Sequence, residues 1–325
     1  MKINQTILQE FILVGFSVYP HVQTLLFVVF FCLYLLTLTG NLAIMGLTWV
    51  DRALHTPMYL FLSALSFSET CYTMAIIPKM LADLLAKSRS ISVMGCGLQL
   101  CFFLGFGGSN CFILTLMGYD RFLAICNPLR YPLLMTNMVC GQLVAYAWAG
   151  GFFVSLIETA LIFRGSFCSP NLVKHFFCHM REVVRLNCID SDLTEFIIIL
   201  IPASGLLGTF LLILLTYVFI LSTVLRIPSA EGKQKAFSTC ASHITVVAIH
   251  FGFASIAYLK AEASGGDDTL IAVTYTIITP FLNPLIFSLR NKDMKNAFRK
   301  VLGMTRSLNE YFWIISAWLT VPRIQ

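Results

Sequence analysis

Charge is what this chain has least of. Asp, Glu, Lys and Arg make up 12% of its 325 residues, about half the share of a soluble globular domain. Long polar stretches, low-complexity tracts and internal repeats are missing as well, which excludes an independent soluble domain and a repeat architecture. A cleavable signal peptide is also lacking. The first apolar run is too long for one and no small-residue cleavage site follows it, so that run acts as its own signal anchor.

What the chain does have is apolar. Hydrophobic residues make up 58% of it and gather into seven blocks, near 25–49, 58–85, 93–125, 139–163, 196–225, 237–259 and 270–289. Crossing a bilayer takes ~20 apolar residues, and no water is available there to satisfy the backbone, so each block reads as a transmembrane helix. The expected fold is an all-α membrane protein. Its seven-helix bundle covers 25–290, an extracellular segment 1–24 precedes it, and an amphipathic helix and tail, 291–325, follow on the cytoplasmic side.

Basic residues set the orientation. Arg52, Arg121, Arg130, Arg226, Lys233, Lys235 and the run Arg290, Lys292, Lys295, Arg299, Lys300 share one side, against Lys87, Arg89, Arg164, Lys174, Arg181, Arg185 and Lys260 on the other. This bias puts the N-terminus outside. The sequon Asn4-Gln5-Thr6 agrees, since Asn4 is glycosylated only on that side. The net charge of +6 thus faces anionic lipid at the membrane surface and gives no reason to expect a nucleic acid partner.

The eleven cysteines divide by compartment. Cys168, Cys178 and Cys188 share the longest outer loop, and Cys96 opens the third helix on the same oxidising side, where two disulfides are favoured. A metal site of His175, Cys178 and His179 is the competing reading, because imidazole and thiolate are soft ligands. The remaining cysteines lie in helices or on the reducing side.

Four stretches carry a pattern more specific than hydropathy: "LHTPMYLFLSALS" (54–66), "GYDRFLAICNPLRY" (118–131), "KAFSTCASH" (235–243) and "PFLNPLIFSLRN" (280–291). With the outer-loop pattern of Phe167-Cys168, His175-Phe176-Phe177-Cys178 and Cys188, they resemble the olfactory receptors, a branch of the rhodopsin-like G-protein-coupled receptors. The resemblance runs in order and spacing over about 4–302. It includes the lack of a proline in the sixth helix, where Gly252 lies instead.

The resemblance implies roles. Asp120 latches Arg121 at rest, and activation frees the guanidinium to face the G protein; a buried Arg at a helix end is costly unless paired. Tyr217, His243, Asn283, Pro284 and Phe287 belong to the same activation machinery. Cys96 pairs with Cys178, and Cys168 with Cys188. Asn41, Glu69 and Asn110 form a polar core, either as an interhelical network or around a sodium ion. Here the chain departs from the family, which commonly has Asp at position 69 and Glu at position 110. Phe122, Phe251 and Phe287 stand where the family usually has Tyr, so Tyr217 cannot pair through water with a hydroxyl at 287. Pro202, Pro280 and Pro284 inside helices allow bends, and Gly105, Gly107 and Gly108 serve either helix packing or pocket space.

The implied ligand pocket lies in the outer half of the bundle. Its walls are Phe103, Leu104, Gly107 and Gly108 on helix three, Ile201 and Gly205 on helix five, Phe251, Ser255 and Tyr258 on helix six, and Thr276 on helix seven. This lining suits a compact, neutral, largely apolar molecule with one hydrogen-bonding group. Phe103 stands where amine receptors carry an Asp, which argues against a cationic ligand. Glu158 on helix four is the one acid nearby and is expected to bond to the loop.

The resulting expectation is an odorant receptor at the plasma membrane. It binds a small-molecule odorant, needs no cofactor and couples to a heterotrimeric G protein of the stimulatory or olfactory type. A same-family receptor acting on a metabolite outside the nose is the alternative. A transporter would show paired, broken, repeat-related helices, which are absent. An enzyme would need an acid or nucleophile matched to His243 and His250, and none stands at the right spacing. The segment "YFWIISAWLTV" (311–321) is too short to span a bilayer and reads as interfacial or disordered.

Overall fold

The structure is a computed structural model that describes residues 8–18, 20–188, 192–263, 269–301 and 303. Asn4, the side chain of Tyr258 and the segment 311–321 lie outside the described residues.

Among the described residues, seven helices are long and apolar enough to cross a membrane. Helix one is Gln23–Val50, helix two Pro57–Leu85, helix three Val93–Cys126 and helix four Asn137–Phe163. Helix five is Asp192–Leu225 and helix six Ala230–Ala263. Helix seven has three consecutive parts: α-helical Thr269–Val273, a π-helical turn Thr274–Ile278 and α-helical Thr279–Arg290. Helix eight, Lys292–Val301, follows at once.

Local chemistry marks several boundaries. Pro57 opens helix two in the first turn, where its missing N–H costs nothing. The Ser92 hydroxyl caps helix three by accepting from the Gly95 amide at 3.0 Å, and Thr136 caps helix four through Val139. Helix six starts at Ala230, ahead of the expected 237, because Glu231, Lys233, Gln234 and Lys235 are good helix formers that carry it beyond the apolar block.

The outer faces of the helices match a lipid surround. Leu25, Leu36 and Val50 on helix one are each more than half exposed, and helix five is similarly bare. Helix two is the most enclosed, packed on helices one and three. Helices three and four approach closely at Gly151: a Cβ there would lie 2.6 Å from the Gly105 carbonyl oxygen and 2.4 Å from Ser109 Oγ. Only glycine fits this crossing. Gly105 itself faces the Phe152 ring, so it serves packing, whereas Gly107 and Gly108 line the cavity described below.

The outer end carries a small sheet that hydropathy did not suggest. The strand Glu10–Leu13 pairs antiparallel with Ser90–Ser92 and parallel with Leu172–Val173. Its inward residues Phe11 and Leu13 are buried with Cys96, Val173, Cys178 and Val183. Disulfides Cys96–Cys178 and Cys168–Cys188 hold the long loop over this end.

At the cytoplasmic end, helix eight turns Met294 and Ala297 inward. The Tyr59 hydroxyl lies 3.0 Å from Asn291 Oδ1 and 3.1 Å from Asp293 Oδ2, and Lys300 Nζ lies 3.2 Å from Asp51 Oδ1. Asp51 also accepts from the Ala53 amide; this bond and the Lys300 ammonium hold its carboxyl below the ordinary range.

Candidate functional site

A cavity of about 370 Å³ lies in the outer half of the bundle, between helices three to seven and beneath the long loop. Helix three supplies Phe103, Leu104, Gly107, Gly108 and Cys111, and helix five supplies Ile201, Pro202 and Gly205. The loop closes it with His179, Met180 and Arg181. The volume falls within the usual range for a small-molecule site.

Helices six and seven present other residues than the resemblance implied. His250 and Ala254, four apart and therefore on one face, line the cavity from helix six. Phe251 and Ser255, one position on and so turned by about 100°, line a second cavity of about 540 Å³ between helices five and six. Phe251 is buried in the central core with its ring 5.3 Å from that of Phe210. From helix seven the cavity receives Tyr275 and Thr279, while Thr276 is fully buried and donates to the Ala272 carbonyl at 2.6 Å. The π-helical turn adds a residue to this stretch, so spacing from a regular helix does not carry through it.

Glu158 also departs from expectation. It lines the cavity, is 2% exposed, and its Oε1 has no hydrogen-bond partner among the described residues. Among the described residues, no bond from it to the loop is present. Nearby, Cys111 Sγ and His250 Nε2 are 3.4 Å apart, both on the cavity wall.

The loop above is uncharged at its histidines. Burial, with Arg181 and Arg185 next to it, pushes His179 down to about 4, and burial holds His175 well below its ordinary value. The Cys178 sulfur is bonded to Cys96, which removes the thiolate that a metal site with these histidines would need.

The opposite end holds a separate polar cluster. Asp120 is fully buried, with Arg121 Nη2 3.6 Å from its Oδ2, an ion pair too long for a hydrogen bond. The Tyr131 hydroxyl donates to Asp120 Oδ1 at 2.7 Å. Burial, and then the Asp120 carboxylate, push that hydroxyl above its ordinary value, so it stays a donor. Tyr217 and His243 face each other one layer deeper, their polar atoms 2.7 Å apart. Phe122 packs on Phe219 of helix five, and Phe287 is buried in the central core.

These two sites sit on a chain whose residues 30–304 match the family model described as olfactory receptor. The human olfactory receptor 10X1 is 82% identical over 310 residues, which cover 95% of each chain. The chain belongs to the olfactory receptor family. Human olfactory receptor 10H1 is 53% identical, over 92% of this chain and 95% of its own. Squid rhodopsin shares the fold, with a TM-score of 0.71 at 17% identity, over 94% of this chain and 93% of that one. As an olfactory receptor, the chain is a multi-pass plasma-membrane protein with a small-molecule ligand and a G protein partner, and it is not an enzyme.

In this olfactory receptor the polar core joins helices two and seven. Asn283 Nδ2 donates to Glu69 Oε1, both groups being buried. Asn41 Nδ2 donates to the Thr37 carbonyl at 3.0 Å. The Oδ1 atoms of Asn41, Asn110 and Asn283 are buried without a hydrogen-bond partner among the described residues. Oxygen ligands suit a hard cation, so this donor set fits the sodium reading, while the Glu69–Asn283 bond fits the network reading. Pro284 packs beside Gly40, where a Cβ would meet it at 3.1 Å.

Proposed function

We propose that this receptor is opened by a compact, largely apolar odorant in the outer cavity and signals through a stimulatory, olfactory-type G protein that raises cyclic AMP. The observation that carries this reading is the separation of the two polar centres. The ligand cavity lies under the disulfide-bound loop, and the Asp120–Arg121 pair lies at the far end of the same helix three. One helix thus joins ligand and effector, which a two-state receptor needs if each partner is to bias the same equilibrium.

Phe103, Leu104, Gly107, Gly108, Ile201 and Gly205 form the ligand wall in this proposal, joined by His250, Ala254, Tyr275 and Thr279. Asp120, Arg121, Tyr217, His243, Asn283, Pro284 and Phe287 form the switch. The segment 1–24 is extracellular, 25–290 the membrane domain and 291–325 cytoplasmic, where basic residues meet anionic lipid. A ligand of about ten heavy atoms at roughly 0.5–0.8 kcal/mol each binds with micromolar to sub-millimolar affinity.

The test is a cyclic-AMP reporter screen of the surface-expressed chain against a diverse odorant panel. A dose-dependent response that is lost in Arg121→Ala at matched surface expression supports the reading. A response carried by calcium alone would overturn the stimulatory coupling, and silence across the panel would overturn the odorant reading.

A further inference from the structure

Two ionisable side chains of the outer cavity each keep one buried polar atom unpaired among the described residues. Glu158 Oε1 and Arg181 Nη2 are both buried without a hydrogen-bond partner among the described residues, and the two residues are 2% and 6% exposed. Both line the same cavity, and helix four packs against Met180–Val184, the short helix that bears Arg181. Neither takes part in an ion pair among the described residues. Within a membrane protein an ionisable side chain left in this state is costly, and the cost is offset when a partner arrives.

The two groups ask for opposite things. A guanidinium only donates hydrogen bonds, and a carboxylate only accepts them. Next to them on the cavity wall, the side chains of Val154 and Met180 offer neither, and His179 is the polar residue beside Arg181. We propose that Glu158 and Arg181 form a two-sided clamp for the ligand's head group, which must therefore both accept and donate: a hydroxyl or a primary amide. An ether, ester or ketone satisfies Arg181 and leaves Glu158 unpaired. A simple amine does the reverse and meets the Arg181 charge. The clamp rests on the reading of this cavity as the odorant site and narrows it to one class of head group.

The experiment adds matched probes to the odorant screen: an alkan-1-ol, its primary amide analogue, its methyl ether and a methyl ketone on one carbon skeleton. They are run on the intact receptor and on Glu158→Met and Arg181→Met at matched surface expression. On the unmodified receptor the alcohol or amide should exceed the ether in potency by about tenfold or more, the usual scale for a hydrogen bond to a charged group. Glu158→Met should bring that ratio close to one, a change that general misfolding does not produce. Arg181→Met should weaken every oxygen-bearing head. Glu158→Leu replaces Glu158→Met if the latter fails to reach the surface, and the ligand ratio on the unmodified receptor stands without any variant. Equal potency of ether and alcohol, or a ratio unchanged in the Glu158 variant, overturns the clamp and leaves the odorant reading intact. Silence to all compounds overturns both.

Discussion

Tyr217 on helix five and His243 on helix six are joined by a 2.7 Å contact between the hydroxyl and Nδ1. The other ring nitrogen, Nε2, lies 2.9 Å from the Leu114 carbonyl oxygen on helix three. That carbonyl can only accept, so Nε2 carries the proton and Nδ1 accepts from Tyr217. One imidazole thereby pins helix six to its two neighbours. Tyr217, which finds no hydroxyl at Phe287, has its partner here instead.

This pin should hold the resting state. Tyr217→Phe removes one hydrogen bond worth about 1 kcal/mol, enough to shift a two-state equilibrium about fivefold. Basal cyclic AMP should rise by a few-fold at matched surface expression. An unchanged baseline would remove the pin from the switch.

Asp120 is restrained from two directions, by Arg121 at 3.6 Å and by the Tyr131 hydroxyl at 2.7 Å. Tyr131→Phe leaves Asp120 Oδ1 without its donor, and should raise basal signalling while preserving the ligand response. Arg121→Ala should instead abolish that response with the protein still at the surface. Dose–response curves of the two variants separate restraint from transmission, and identical behaviour in both would refute the division.

The course of the helices was legible because ~20 apolar residues leave few alternatives, and the wall residues on helices three and five follow from regular helical spacing. The register of helices six and seven was not legible. Phe251 and Ser255 miss the outer cavity by one residue, a single turn of about 100° that hydropathy does not resolve in a helix apolar on most sides. The π-helical turn at Thr274–Ile278 has no marker in "TYTII". Glu158 announced itself as a charge in an apolar helix, but where it points depends on how closely helix four approaches helix three at Gly151. The strand Glu10–Leu13 depends on partners about 80 and 160 residues away, beyond any local pattern.

The loop should weaken in acid. Burial keeps His179 at about 4 and His175 well below 6.5 in the folded loop, whereas the unfolded loop titrates near 6.5. A depressed histidine contributes stability that is present above pH 6.5 and is lost as pH falls toward about 4, because the unfolded state takes up protons first. Melting temperatures of purified receptor should fall over that window. The variant carrying His175→Phe and His179→Phe should show a flatter profile; an equal slope in both proteins would locate the acid sensitivity elsewhere.

The Cys168–Cys188 bridge spans 20 residues, a loop that the chain-entropy model values at roughly 3 kcal/mol. Replacing both cysteines with Ala should lower surface expression and melting temperature without exposing new reactive thiols. Peptide mapping under non-reducing conditions should recover 168 linked to 188 and 96 linked to 178. Free thiols at these four positions in surface-expressed protein would contradict both bridges.

The helix-six register can be tested by two neighbouring substitutions. Ala254 lines the outer cavity, and Ser255, the next residue, lines the cavity between helices five and six. Ala254→Leu should fill space that the odorant needs and reduce agonist potency by about tenfold or more, the loss expected when a ligand forfeits well over 1.4 kcal/mol. Gly108→Leu should act in the same way from helix three, since an added Cβ there meets only Gly151, its Cα at 3.5 Å and its carbonyl oxygen at 4.0 Å, and the larger side chain has the cavity to enter. Ser255→Leu adds the same bulk to the other cavity and should leave potency nearly unchanged. Agonist dose–response curves at matched surface expression read all three. A large loss in Ser255→Leu together with none in Ala254→Leu would return the ligand wall to the face that carries Phe251 and Ser255.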